Sequence, residues 1–181
     1  MTGFRRIGEE PIWRGQVISL ANATFEAPDG TRFDREVIHH PGAVSVVPVL
    51  GDGHTVVMVR QYRAALDREI LEIPAGKRDV PGEAPEISAG RELAEEVGFT
   101  AGKLEQLGEF YNSAGFCDEH SLVYLATDLT PCETRACGVE ELHMTIERLD
   151  LDDVPRLIAD GALVDAKTVI GLLLARNRLR R

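Results

Sequence analysis

The stretch from Pro85 to Gly98 constrains this chain more than any other. Pro85 suits a first helical turn and Gly98 suits the stop, and the residues between them have helical periodicity, so a helix is predicted over Glu86–Val97. Ile87, Gly90, Leu93, Ala94 and Val97 fall on one face and are expected to pack on a sheet. Ser88, Glu92, Glu95 and Glu96 fall on the other; at about 3.6 residues per turn the three glutamates span an arc of about 100°. Like charges at i,i+4 destabilise a helix by roughly 0.2–0.5 kcal/mol, which a solvated face can tolerate. A hard divalent cation offers a second account. Mg²⁺ takes oxygen ligands at about 2.0–2.1 Å, usually a few carboxylates with waters and substrate phosphates.

Strand patterns surround the helix. Two β-rich runs between Gln16 and His40 flank Pro28-Asp29-Gly30 and read as an N-terminal hairpin. Val44–Leu50 and His54–Tyr62 flank Gly51-Asp52-Gly53 and read as a second hairpin, followed by a short strand over Ile70–Pro74. Further strands are expected at Leu104–Tyr111, Ser121–Ala126 and Leu142–Leu149, with helices at Asp153–Asp160 and Ala166–Arg178. The fold class predicted is α+β, a mixed β-sheet sandwiched by helices, with residues 1–40 as a small N-terminal β-hairpin subdomain and 41–181 as the main domain.

Bulk properties set the boundaries of function. A net charge of −10 disfavours a nucleic-acid surface, since phosphate backbones are held by clustered Lys and Arg. It leaves room for a small anionic substrate that recruits a metal. No apolar run approaches the ~20 residues that span a bilayer, and the charged start of the chain lacks a secretory signal's apolar core. Cys117, Cys132 and Cys137 are too irregularly spaced for a disulfide framework or zinc knuckle, so reduced thiols in a cytoplasmic protein are expected.

Gly76, Glu83, Arg91, Glu92, Leu93, Glu95, Glu96, Gly98 and Phe99 together resemble the Nudix box: Gly, five residues, Glu, seven residues, then Arg-Glu-aliphatic-x-Glu-Glu-x-Gly-aliphatic. At ordinary residue frequencies a chance match is on the order of one in a million or rarer. One departure is a sixth residue between Gly76 and Glu83, within a loop holding Pro81 and Gly82 that absorbs it at little cost. The resemblance implies a Nudix-type fold and a bound Mg²⁺, with Mn²⁺ as the alternative. Its ligands would be Glu92 and Glu96, with Glu95 and the carbonyl of Ala75. Glu83 and Arg91 would support them by pairing with carboxylates, Arg91 standing also as a candidate catalytic residue.

Segments outside the box are similar to the ADP-ribose pyrophosphatase branch of that family. They include Trp13-Arg14-Gly15, Arg35-Glu36-Val37, Arg60-Gln61-Tyr62-Arg63, Glu72-Ile73-Pro74-Ala75-Gly76, Ser113 to Glu119, and Asp165-Ala166-Lys167-Thr168. Where the branch has Ser-Pro-Gly, this chain has Ser113-Ala114-Gly115. The likeness implies hydrolysis of a nucleoside diphosphate sugar, ADP-ribose to AMP and ribose 5-phosphate. Trp13 would stack on the base, and Arg35, Arg60 and Arg63 would bind substrate. Arg60 and Arg63 are expected to share one strand face. Glu119 would be the general base, with Glu95 in reserve. It further implies a homodimer built through the N-terminal strands. A GDP-sugar, NADH or a dinucleoside polyphosphate are the alternative substrates, and a non-catalytic nucleotide sensor is the alternative role.

Overall fold

The computed structural model describes residues 3–134 and 138–180; Cys137 lies outside them. In chain order the strands and helices are β1 (Arg5–Arg14), β2 (Ser19–Glu26), β3 (Arg32–His39), β4 (Ala43–Pro48), β5 (Thr55–Arg63), β6 (Arg68–Glu72), β7 (Ala75–Lys77), α1 (Pro85–Val97), β8 (Phe99–Tyr111), β9 (His120–Pro131), α2 (Val139–Leu142), β10 (Thr145–Asp150), α3 (Val154–Ala159) and α4 (Ala166–Leu179). Two compact units result: the segment through Gly42 with Tyr111–His120, and Ala43–Phe110 with the chain from Ser121 onward.

In the first unit β1, β2 and β3 form an antiparallel sheet. The predicted hairpin is β2–β3, closed by Ala27 N–H to Thr31 O and Gly30 N–H to Ala27 O. β1 was not foreseen. It is an edge strand exposed along its whole length, so no buried face imposes an alternating pattern on its sequence.

The second unit holds two sheets, ordered β10-β5-β6 and β7-β4-β9-β8. β4 runs parallel to β9 and antiparallel to β7, so this sheet is mixed as expected. The predicted β4–β5 hairpin is corrected. The turn exists, with Leu50 N–H bonded to Thr55 O and a single bridge from Val49 to Val56, but the strands then part into different sheets. Each has apolar residues on both faces and therefore lines two cores. Val47, Val49, Val56 and Met58 join Leu163, Leu172 and Ala175 in one core; Val44, Val46, Val57 and Val59 join Ala89, Leu93 and Val97 in the other. The first core seats α4 and the second seats α1.

Candidate active site

α1 ends at Gly98, whose φ of 70° lets its N–H reach the carbonyls of Leu93 and Ala94. Its buried residues are Ser88, Ala89, Glu92, Leu93, Glu96 and Val97. Ile87, expected against the sheet, is 60% exposed. The buried arc centres on Ala89, Leu93 and Glu96, and Ile87 lies about 200° round from Ala89. Two of the three glutamates are thus turned inward, and Glu96 is only 4% exposed.

β7 receives them. A Cβ on Gly76 would stand 2.0 Å from Glu92 Cδ, so only bare backbone lets Glu92 lie there. One residue earlier, Ala75 N–H donates to Glu96 Oε2 at 3.0 Å. Around the outer edge, Arg91 Nη1 approaches Glu92 Oε1 at 2.7 Å and Glu95 Oε2 at 3.0 Å, and its Nη2 reaches Glu83 Oε2 at 3.5 Å. Ser88 Oγ donates to the same Glu83 oxygen at 2.5 Å. Arg91 and Ser88 therefore tie the loop residue Glu83 to the helix.

Burial dominates the electrostatics. It pushes the Glu96 carboxyl up to about 8, with the Ala75 N–H opposing and the charge of Glu92 adding to the rise. Burial raises Glu92 too, against the pull of Arg91. Burial would lower Arg91, but Glu92, Glu83 and Glu95 outweigh it and hold the guanidinium charged. Among the described residues no three acidic, His or Cys side chains converge on one point in this conformation, and Arg91 is the countercharge between Glu92 and Glu95. The donors nevertheless fit a hard divalent cation. They are oxygen only, and two of them are buried carboxylates that repel each other and lack a full countercharge.

Arg60 and Arg63 do not share a face, because residues three apart on a strand point oppositely. Arg60 pairs with Glu147 of β10 at 2.5 Å. Arg63 makes a two-pronged pair with Glu72, Nε to Oε1 at 2.5 Å and Nη2 to Oε2 at 2.6 Å. Glu96 is among the charges that raise Arg63, so Arg63 is the one of the two that lies near the glutamate set. Glu72 is completely buried and also takes Lys167 Nζ. Reading the sequence for chemistry missed Glu72 and Lys167. The available signal was a lone acid in the apolar run Ile70-Leu71-Glu72-Ile73, since a buried carboxylate requires a partner.

Trp13, Arg35 and Glu119 belong to the first unit. Trp13 is not core: it is 56% exposed, its ring lies over Gly15, and it lines a cavity of about 430 Å³ with His39, His40 and Pro41. Arg35 sits 4.8 Å over the Phe33 ring and lines a second cavity, of about 320 Å³, together with Ala114, Gly115, Phe116 and Asp118. Arg35 and the loop leading to Glu119 are thus brought together. That loop is anchored at Asp118, which takes His40 N–H at 2.9 Å and lies 2.5 Å from His39 Nδ1. The carbonyl of Glu119 accepts Asn112 N–H at 3.3 Å.

The site is thus a helix whose buried acidic edge rests on the glycine of β7, with Arg91 of the same helix lying across it. A model of the NUDIX domain matches residues 39–169. The ADP-ribose pyrophosphatase of Bacillus subtilis is 40% identical over 168 residues, 93% of this chain and 90% of that protein. The methanol dehydrogenase activator of Bacillus methanolicus is 38% identical, with the same coverage. A crystal structure of an ADP compounds hydrolase superposes with a TM-score of 0.84 at 25% identity, covering 98% of this chain and 94% of that one. The chain belongs to the Nudix family.

Proposed function

We propose that this protein is a Nudix diphosphatase that hydrolyses the diphosphate of a nucleoside diphosphate sugar, with ADP-ribose as its substrate and AMP and ribose 5-phosphate as products. The observation that carries the chemistry is the buried Glu92–Glu96 pair seated on Ala75 and Gly76. The relatives named for ADP-ribose and ADP compounds support the substrate.

A Mg²⁺ ion, or Mn²⁺ in its place, would supply charge neutralisation and a more acidic water when bound. Glu92 and Glu96 would hold it, with Glu95 and the Ala75 carbonyl completing the set. Arg91 pairs with Glu92 and Glu95 and binds them to the Glu83 loop. Arg63 would donate to a diphosphate oxygen of the bound substrate. Glu119, on a loop that can swing in once substrate is bound, would remove a proton from the attacking water. Trp13 and Arg35 would take the base, in stacking and in fork-like pairing.

We further assign a homodimer through the N-terminal sheet, supported by the exposed edge of β1 with Ile12 and Trp13 at 55% and 56% exposure. A cytoplasmic site is supported by the free thiols of Cys117 and Cys132. Among the described residues no helix is long and apolar enough to cross a membrane.

The test is product formation from ADP-ribose, GDP-mannose and NADH at matched concentrations with Mg²⁺. ADP-ribose is expected to give the highest kcat/KM. A clear preference for either competitor removes the ADP-ribose assignment, and no turnover of any of them removes the enzyme assignment.

A further inference from the structure

A closed polar ring joins the end of β6 to the start of α4. Glu72 is fully buried and its two oxygens take Arg63 Nε and Nη2 and Lys167 Nζ. Lys167 Nζ also lies 3.0 Å from Asp165 Oδ2. That oxygen caps α4, accepting Thr168 N–H at 2.9 Å and Thr168 Oγ1 at 2.6 Å. Thr168 Oγ1 in turn accepts Ile73 N–H at 3.0 Å, and Ile73 is the neighbour of Glu72. The helix bearing these groups is fixed in place, since Gly171 lies so close to the sheet that a Cβ there would be 2.9 Å from Ile73 and 3.0 Å from Val123.

Two positive and two negative groups balance within the ring. Burying Glu72 among charged partners is an expensive way to join a strand to a helix, because apolar residues of similar volume often do so equally well or better. What the charges add is direction. The Glu72 fork engages Arg63 through Nε and Nη2 and leaves Nη1 outside the pairing, on a side chain still 38% exposed while Glu72 is at 0% and Lys167 at 14%.

We propose that Glu72 and Lys167 are positioning residues: tied through Asp165 and Thr168 to the start of α4, they hold the Arg63 guanidinium in one orientation with Nη1 presented to the diphosphate of the bound substrate. The identity of that substrate rests on the function proposed above. The arrangement removes the entropy of a long side chain before binding, so the gain belongs to substrate affinity and not to the chemical step. Lys167 neutralises the second Glu72 oxygen and fixes the carboxylate plane to which the Arg63 fork must conform.

The experiment combines kinetics with a signal that needs no substrate. Lys167→Met raises KM for ADP-ribose about tenfold with kcat nearly unchanged, the scale of one lost charge-assisted hydrogen bond. Lys167→Arg restores it. In an Arg63→Ala background, Lys167→Met adds nothing further. By NMR, the Arg63 Nε–H exchanges slowly in wild type and Lys167→Arg, and rapidly in Lys167→Met and Glu72→Gln. A KM rise of the same size with Arg63 absent, or slow Arg63 exchange surviving both substitutions, shows that the ring only stabilises the fold and overturns the proposal. Wild type inert on every nucleoside diphosphate sugar would defeat the proposed function instead, and the Arg63 signal would still decide the positioning.

Discussion

Gly76 and Glu96 show how narrowly the glutamate set is built. Adding one methyl at Gly76 puts it 2.0 Å from the Glu92 carboxyl carbon, and the obstacle is a buried side chain with little room to retreat. Gly76→Ala is expected to cost about 1–3 kcal/mol of stability, the usual range for overpacking, and to cut turnover far more, because Glu92 must leave β7. Thermal unfolding and steady-state kinetics on one preparation measure both; a variant with wild-type kcat/KM would show that Glu92 need not rest there. Glu96→Gln has the opposite signature. It keeps the shape, removes a carboxyl that the metal-free fold must protonate at neutral pH at a cost to stability, and leaves an amide oxygen to accept Ala75 N–H. The metal-free variant is therefore expected to melt higher than metal-free wild type, while its turnover falls by orders of magnitude.

The loop from Asn112 to Glu119 is the element whose anchoring depends on pH. The hydrogen bond to Asp118 raises His39 above the ordinary imidazole value of 6.5; burial opposes this, and Glu9, 3.0 Å from Nε2, reinforces it. Burial alone would raise Asp118, yet His39 and the His40 N–H outweigh it and lower it below 3.8. The His39 contribution is whole below pH 6.5 and fades as pH climbs through its raised folded value; the Asp118 contribution is present above 3.8 and fades as pH falls. Amide protection of Phe116, Cys117 and Asp118 is therefore expected to decline as pH rises above 6.5 in wild type and to be flat over the same range in His39→Gln. Nothing in the sequence pointed to this anchor, because His39 and Asp118 are joined by tertiary pairing across 79 positions. α1 was legible because a helix writes its own period, caps and charged edge into consecutive residues. Its orientation was not. Hydrophobicity placed Ile87 inside and the glutamates outside, whereas the shape of β7 and the bare backbone of Gly76 turned Glu92 and Glu96 inward. The same limit applied to β4 and β5. Turn chemistry between them was readable, but the choice of partners lay with strands far along the chain. Arg60 and Arg63 are a separate matter: a spacing of three already assigns them to opposite faces.

On the scale of the molecule, the chain carries a net charge of −10 and sets two glutamates into a core that disfavours their ionisation. Such a core holds these carboxyls back from ionising without a cation and lets them ionise with one, so metal binding and folding are linked. At a concentration one hundred times Kd, a ligand that binds only the folded state stabilises it by about 2.7 kcal/mol. For a chain of this size each kcal/mol moves the melting temperature by about 2–4 °C, so saturating Mg²⁺ is expected to raise it by about 5–11 °C and chelation to reverse the change. The gain has a definite location. α1 and β7 meet the ion, and the core shared by Ala89, Leu93, Val97, Val44 and Val46 couples them to the sheet, so slowed amide exchange should concentrate in those elements and leave β1 to β3 unchanged. Glu96→Gln separates this from general salt effects. It removes a ligand charge while slightly stabilising the metal-free fold, so its Mg²⁺-induced shift should nearly vanish although its starting melting temperature is higher. An equal shift in wild type and variant, or protection spread evenly over both units, would place the ion elsewhere on this acidic surface and detach Glu96 from its assigned role.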